Sequence, residues 1–239
     1  MDGSSNIDAG IPVGTIFGIF EHDEKCSADV FQGDECFGDV LQPGNKLVAA
    51  GYCLYSSATT LVMTLGEGTG VHGFTLDESI GEFVLTHCNM RIPERGNIYS
   101  FNEGNRFDWD EPMQEYITNI QKGTGETRTK YSGRYVGSMV ADIHRTLQYG
   151  GIFGYPADKK NVNGKLRLLY EAAPMAMLIE EAGGIATTGS RPIMEIPPTG
   201  VHVRVPCIRK CFLLFATYVL RYIFTNLCQL TFHRDICSG

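Results

Sequence analysis

The chain has 239 residues, 43% hydrophobic and 20% charged, which is enough apolar material for one substantial domain or two small ones. Its formal net charge of −7, with no run of Lys/Arg interleaved with aromatics, excludes a basic nucleic-acid footprint. Eight cysteines, at 26, 36, 53, 88, 207, 211, 228 and 237, form no C-x-x-C pair and have no His at zinc spacing, so a structural zinc site is not expected.

The N-terminal residues show neither the basic and apolar regions of a secretory signal nor an Arg/Ser-rich transit segment, so no targeting segment is expected in this chain. They read D-G-S-S-N at 2–6. Gly3 permits close backbone approach, so the amides of Gly3, Ser4 and Ser5 can converge on an anion if a short helix begins there. Asp2 would then stand beside the anion as an oxygen ligand for Mg²⁺. Taken alone, the stretch also reads as an ordinary Asx turn with a helix cap.

Residues 12–21 (IPVGTIFGIF) predict a β-branched and aromatic strand. After the acidic stretch EHDEKCSADVFQGDECFGD, where Cys26 and Cys36 read either as inert thiols or as a loop disulfide in an oxidising or redox-regulated compartment, AAGYCLYSS, TTLVMTL, GFTLD and GEFVLTH follow as short strands at meander spacing. Gly68-x-Gly70-x-x-Gly73 matches a dinucleotide pattern but lies between two strands with no helix after it, so a hairpin turn is expected. A short helix is predicted from Met113 to about Gln121 in the polar region 105–133.

Two further helices follow. In SMVADIHRTLQYGG, Val140, Ile143 and Leu147 recur at helical spacing, with Ser138 as N-cap and Gly150 as the stop. In EAAPMAMLIEEAGG, Met175, Leu178, Ile179 and Ala182 form a second stripe, opened by Pro174 and closed by Gly183. Glu171 lies at the junction before this helix, where it reads either as a metal ligand or as a first-turn acid favoured by the helix dipole. Arg134, Tyr135, Tyr155, Lys165 and Arg167 cluster in sequence. Guanidinium, ammonium and phenol groups together can grip a phosphate, or form a solvated basic face.

From about Val205 the sequence becomes almost continuously apolar, but Arg221, Asn226 and Gln229 interrupt it. A mid-span Arg costs roughly 2.5–3.5 kcal/mol, which argues against a membrane span over 212–232.

The blocks DGSSNIDAGIPVGTIFGIF, LVAAGYCLYSSATTLVMTLG, YSFNEGN, RYVGSMVADIHRTLQYGGIFGYPADKK and NGKLRLLYEAAPMAMLIEEAGG resemble, in order, the signature segments of fructose-1,6-bisphosphatase, from Asp2 to about Pro206. The wording around Tyr-Ser-Phe-Asn-Glu-Gly-Asn looks most like a plant plastid form. The resemblance implies an α/β chain with the layered α/β/α/β/α sugar-phosphatase fold, incomplete at the N-terminal side. It divides the chain into a catalytic region over 1–206 and a divergent apolar tail over 207–239.

It also implies Mg²⁺-dependent hydrolysis of fructose 1,6-bisphosphate, as in gluconeogenesis or the Calvin cycle, by a homotetramer of the chloroplast stroma or, alternatively, the cytoplasm. On that likeness Asp2 and Glu171 are the catalytic metal ligands, and Gly3 and Ser4, with Ser5, take the 1-phosphate. Asn102, Tyr135, Tyr155 and Lys165, with Arg167, hold the 6-phosphate and sugar, with Met139 against the ring. Arg134 matches an arginine that reaches into a neighbouring subunit's site. The family motif Asp-Pro-Leu-Asp-Gly-Ser-Ser is cut at Met1, so its first Asp and the acids preceding it are missing. A chain of this kind is expected to turn over slowly, or to act as a non-catalytic sugar-phosphate binder that joins an oligomer. Asn105 stands where some members carry a phosphate-binding Tyr.

Overall fold

Alternating β-branched and aromatic residues favour a pleated strand buried on one face, and the first such run becomes β1 (Val13–Phe20). It belongs to a computed structural model that describes residues 1–22 and 40–210. β2 (Leu47–Tyr55), β3 (Thr59–Thr64), β4 (Val71–Asp77) and β5 (Glu82–Met90) follow, and the five strands form one antiparallel meander in chain order. The glycine pattern expected to be a hairpin is one: Gly68 and Gly70 turn between β3 and β4, and Gly73 lies within β4.

The second sheet is built from β6 (Ile98–Phe101), β7 (Ser132–Gly133), β8 (Ile152–Tyr155), β10 (Ile185–Thr187) and β12 (Cys207–Lys210), in the order β10-β12-β8-β6-β7. β6 is parallel to β7 and β8, whereas β12 is antiparallel to both its neighbours. A separate two-stranded ribbon pairs β9 (Leu166–Arg167) with β11 (Arg204–Val205).

Two helices lie between the sheets. α2 (Met139–Tyr149) packs on β1 and β2 on one side and on β6 and β8 on the other; α3 (Ala173–Glu181) packs on β1, β2, β3 and β10. β1 admits them closely: a Cβ on Gly14 would come within 2.8 Å of both Val140 methyls. The remaining helix, α1 (Glu111–Lys122), covers the outer face of the second sheet through Met113, Ile117 and Ile120, against Phe101, Ile152 and Ile208. It starts two residues earlier than its apolar pattern suggested, because Asp110 accepts from the Met113 amide at 2.9 Å and Pro112 fits the first turn. The described residues thus supply a sheet, a helix pair, a second sheet and a helix, stacked in that order.

Two expectations need correction. The α3 sequence suggested an amphipathic stripe, yet every residue from Ala173 to Ile179 is buried, because this helix has a sheet on each side and no solvent face in its first seven residues. Cys207–Lys210, expected to open a divergent tail, instead form β12 between β10 and β8, with Cys207 fully buried. The acidic stretch with Cys26 and Cys36, and the rest of the apolar tail, lie outside the described residues. Among the described residues no helix is long and apolar enough to cross a membrane.

Candidate active site

The N-terminus of α2 organises the first half of the site. Ser138 occupies the N-cap position expected for it, but its side chain makes no capping bond, and its buried Oγ has no hydrogen-bond partner. The cap comes instead from Asp2, whose Oδ2 accepts the Val140 amide at 3.0 Å. Asp2 is held there by its backbone, which donates to the Gly14 carbonyl at 2.7 Å and accepts from the Gly14 amide at 3.1 Å. Gly3 then turns the chain at φ +75°, and its missing Cβ would lie 3.0 Å from Ser138 Oγ. Both facts demand glycine at this position. A 3₁₀ helix over Ser4–Ala9 follows, as the short-helix reading required, and its first amides lack partners within it.

The second half comes from the β9–β11 ribbon and the chain after it. Leu168–Ala172 form a single π-helical turn leading into α3, and this turn carries Glu171. Glu171 Oε2 accepts the Arg167 amide at 2.7 Å and Oε1 pairs with Arg167 Nη1 at 3.0 Å, so its carboxylate is fixed on the ribbon. At the end of β8, the Tyr155 hydroxyl accepts from Lys165 Nζ at 3.1 Å, and the ammonium sits 5.3 Å from the ring centroid. Gly164 lets the ribbon close, since a Cβ there would lie 2.1 Å from the Pro206 nitrogen.

These elements enclose a cleft of about 290 Å³. Asp2, Gly3, Ser4, Ser5 and Met139 line it, together with Tyr135, Tyr155, Lys165, Arg167 and Glu171. Asp2 feels Glu171: burial raises its carboxyl above the usual range and the Glu171 charge adds to this, while the Val140 and Met139 amides oppose it. Burial, with the Tyr155 phenol beside it, pushes the Tyr135 hydroxyl upward as well.

Of the residues singled out in the sequence, Asn102 and Arg134 do not line the cleft. Asn102 is half-buried at the end of β6, where it starts the 3₁₀ turn Glu103–Asp108. Arg134 is exposed; its amide donates to the Tyr99 carbonyl at 2.8 Å. Asn105 donates to Asp158 Oδ2 at 3.2 Å. Sequence reasoning missed Arg204, which lines the cleft because β11 sets it opposite Arg167 in the ribbon. No local motif marks it, since the pairing joins distant parts of the chain. A larger cleft of about 980 Å³ beyond β11 contains none of the other singled-out residues.

Residues 1–88 match the model of the fructose-1-6-bisphosphatase N-terminal domain, and residues 92–216 that of the C-terminal domain. The chain belongs to the fructose-1,6-bisphosphatase family. It is 55% identical over 208 residues to the cytosolic fructose-1,6-bisphosphatase of Brassica napus, with 86% of this chain and 58% of that protein covered. It is 51% identical over 215 residues to the chloroplastic fructose-1,6-bisphosphatase of Spinacia oleracea, with 86% and 51% covered. The T-state crystal structure of Leishmania major fructose-1,6-bisphosphatase superposes with a TM-score of 0.81 at 48% identity, covering 88% of this chain and 64% of that one. The chain therefore spans between half and three fifths of the length of these two curated relatives, and its fold is the layered fructose-1,6-bisphosphatase fold. Relatives of both compartments match at similar identity, so overall likeness does not separate a plastid form from a cytosolic one.

Among the described residues that line the cleft, Asp2 and Glu171 carry the carboxylates. Carboxylate oxygens are hard donors, of the kind that suit a hard cation. Among the described residues, no group of three or more His, Cys, Asp and Glu side chains is gathered to hold a metal.

Proposed function

We propose that the chain binds fructose 1,6-bisphosphate in this cleft and, with Mg²⁺, hydrolyses its 1-phosphate to give fructose 6-phosphate and phosphate. The observation that carries the reading is the meeting, in one cleft, of Asp2 and Glu171 with Lys165, Tyr155 and Tyr135.

Asp2 and Glu171 would hold the cation, which supplies a hydroxide from bound water and neutralises charge on the transferring phosphoryl group. The chain's own residues do the positioning. The amides of Gly3, Ser4 and Ser5 face the 1-phosphate end of the cleft. Lys165 and the two phenols face the 6-phosphate and sugar, and Met139 lies against the ring. Arg167 and Arg204 add positive charge that draws in a polyanion. By its likeness to the family, exposed Arg134 would reach a second copy of the chain, and the working unit would be a homo-oligomer.

A second reading, a sugar-phosphate binder without turnover, is favoured by one feature. Both Glu171 oxygens are engaged by Arg167, leaving few acidic oxygens open to metal. The two are separated by phosphate release from fructose 1,6-bisphosphate with Mg²⁺, alongside calorimetric binding of fructose 6-phosphate to the purified chain. The expected result is measurable binding with slow turnover. Binding with no turnover selects the second reading, and no binding removes both.

A further inference from the structure

The segment Arg134–Gly137, between β7 and α2, delivers Tyr135 to the cleft but belongs to no helix or strand. A segment of this kind keeps its shape only if something else pairs its backbone groups. The Arg134 amide donates to the Tyr99 carbonyl and the Gly137 carbonyl accepts from Asn6 Nδ2, while the Val136 and Gly137 amides converge on one side chain. Asp142, on the first turn of α2 and fully buried, accepts the Val136 amide through both oxygens at 3.1 and 3.2 Å, and the Gly137 amide at 3.2 Å.

The same carboxylate has two further partners. Arg145 Nη1 lies 3.1 Å from Asp142 Oδ1 and 3.1 Å from the Arg134 carbonyl. Ser100 Oγ lies 2.6 Å from each of the same two oxygens, so its single hydrogen is shared between them. A buried carboxylate is tolerated only when its charge and lone pairs are satisfied. Here, apart from Arg145 and Ser100, the satisfying groups are amides of this segment. Arg145 Nε and Nη2 are buried without partners, so the guanidinium is committed to this arrangement through Nη1.

We infer that Asp142 is a positioning residue: it fixes the backbone of Arg134–Gly137 and thereby sets the Tyr135 phenol in the cleft for the sugar ester. The inference rests on reading the cleft as a sugar-phosphate site. Asp142 lies behind the segment and does not line the cleft, so it acts through Tyr135 and not on substrate.

The test compares wild type, Asp142→Asn and Ser100→Ala in the full chain, by amide hydrogen exchange and by calorimetric binding of fructose 6-phosphate. Asparagine keeps the shape but turns an N–H group toward donors, whichever way its amide is flipped. Losing a buried hydrogen-bond partner in this way is worth about tenfold in an equilibrium. Asp142→Asn is expected to speed exchange at Val136 and Gly137 about tenfold, to leave the Leu178 amide in α3 unchanged, and to weaken fructose 6-phosphate binding about tenfold. Ser100→Ala, which keeps the carboxylate–amide bonds, should move the same two amides in the same direction by less. Unchanged exchange at Val136 and Gly137 in both variants overturns the inference, as does equal acceleration at Leu178 in both. If wild type fails to bind fructose 6-phosphate, the functional reading falls, and the exchange measurement still decides what holds the segment.

Discussion

Replacing Asp2 separates its two roles, as the cap of α2 and as a cation ligand. Asp2→Ala removes the oxygen that accepts the Val140 amide, and Ser138 makes no bond in its place. Losing an N-cap costs about 1 kcal/mol, which is ~2–4 °C in melting temperature for a chain of this size. Asp2→Asn keeps an oxygen for Val140 but carries no charge. Because burial and Glu171 raise the folded-state pKa of Asp2, the folded chain holds this proton more tightly than the unfolded one does. Its contribution is therefore fully present below the ordinary carboxylate range and is lost as pH rises through the raised value. At pH 7 with a chelator, Asp2→Asn should melt at or above wild type, and Asp2→Ala below both.

Adding Mg²⁺ should reverse the order of wild type and Asp2→Asn, since only a chain able to bind the cation gains stability from it, by about 2.7 kcal/mol at a hundredfold excess over Kd. Thermal melts of the three proteins at pH 7, with chelator and with Mg²⁺, provide the assay. If the two variants fall together in chelator, capping by Asp2 is refuted. If Mg²⁺ raises all three melts equally, the cation does not use Asp2.

Gly164→Ala places a Cβ where only 2.1 Å separates it from the Pro206 nitrogen, at φ +79°, so it should force the β9–β11 ribbon apart. We expect a loss of at least ~1–3 kcal/mol in chemical denaturation, together with weaker fructose 6-phosphate binding. Lys165→Met removes the ammonium 3.1 Å from the Tyr155 hydroxyl, and calorimetry should show Kd for fructose 6-phosphate rising about 10- to 100-fold. His144 is half-buried beside Tyr52, whose hydroxyl lies 2.7 Å from Nδ1, and its partial burial, with His87 nearby, lowers its pKa to about 4. The unfolded chain then binds the extra proton first. Stability should fall as pH drops from about 6.5 toward about 4, with a slope of up to ~1.4 kcal/mol per unit, and a His144→Gln variant should show a flatter pH profile.

Much of this molecule was legible in its residues. The β-branched and aromatic runs from Val13 to Met90, short and separated by turn residues, predicted the meander. Capping and stop residues, among them Pro174, Gly150 and Gly183, bounded the two inner helices. The motif blocks also named ten of the residues that line the cleft.

What local pattern could not carry was partnership at a distance. Ser138 looked like the cap of α2, but the capping carboxylate comes from Asp2, 138 positions from the Val140 amide it accepts, placed there by backbone pairing with β1. Arg204 enters the cleft through strand pairing with β9. The all-round burial of α3 exists only because a second sheet closes over it, and the π-helical turn that aims Glu171 forms where that helix meets the ribbon. Residue types and spacing determined which elements form and which groups can bind phosphate and cation. Only the stacking of sheet on helix on sheet decided which of those groups share one cleft, because the hydrogen bonds and charges that join them act through space between residues the chain keeps far apart.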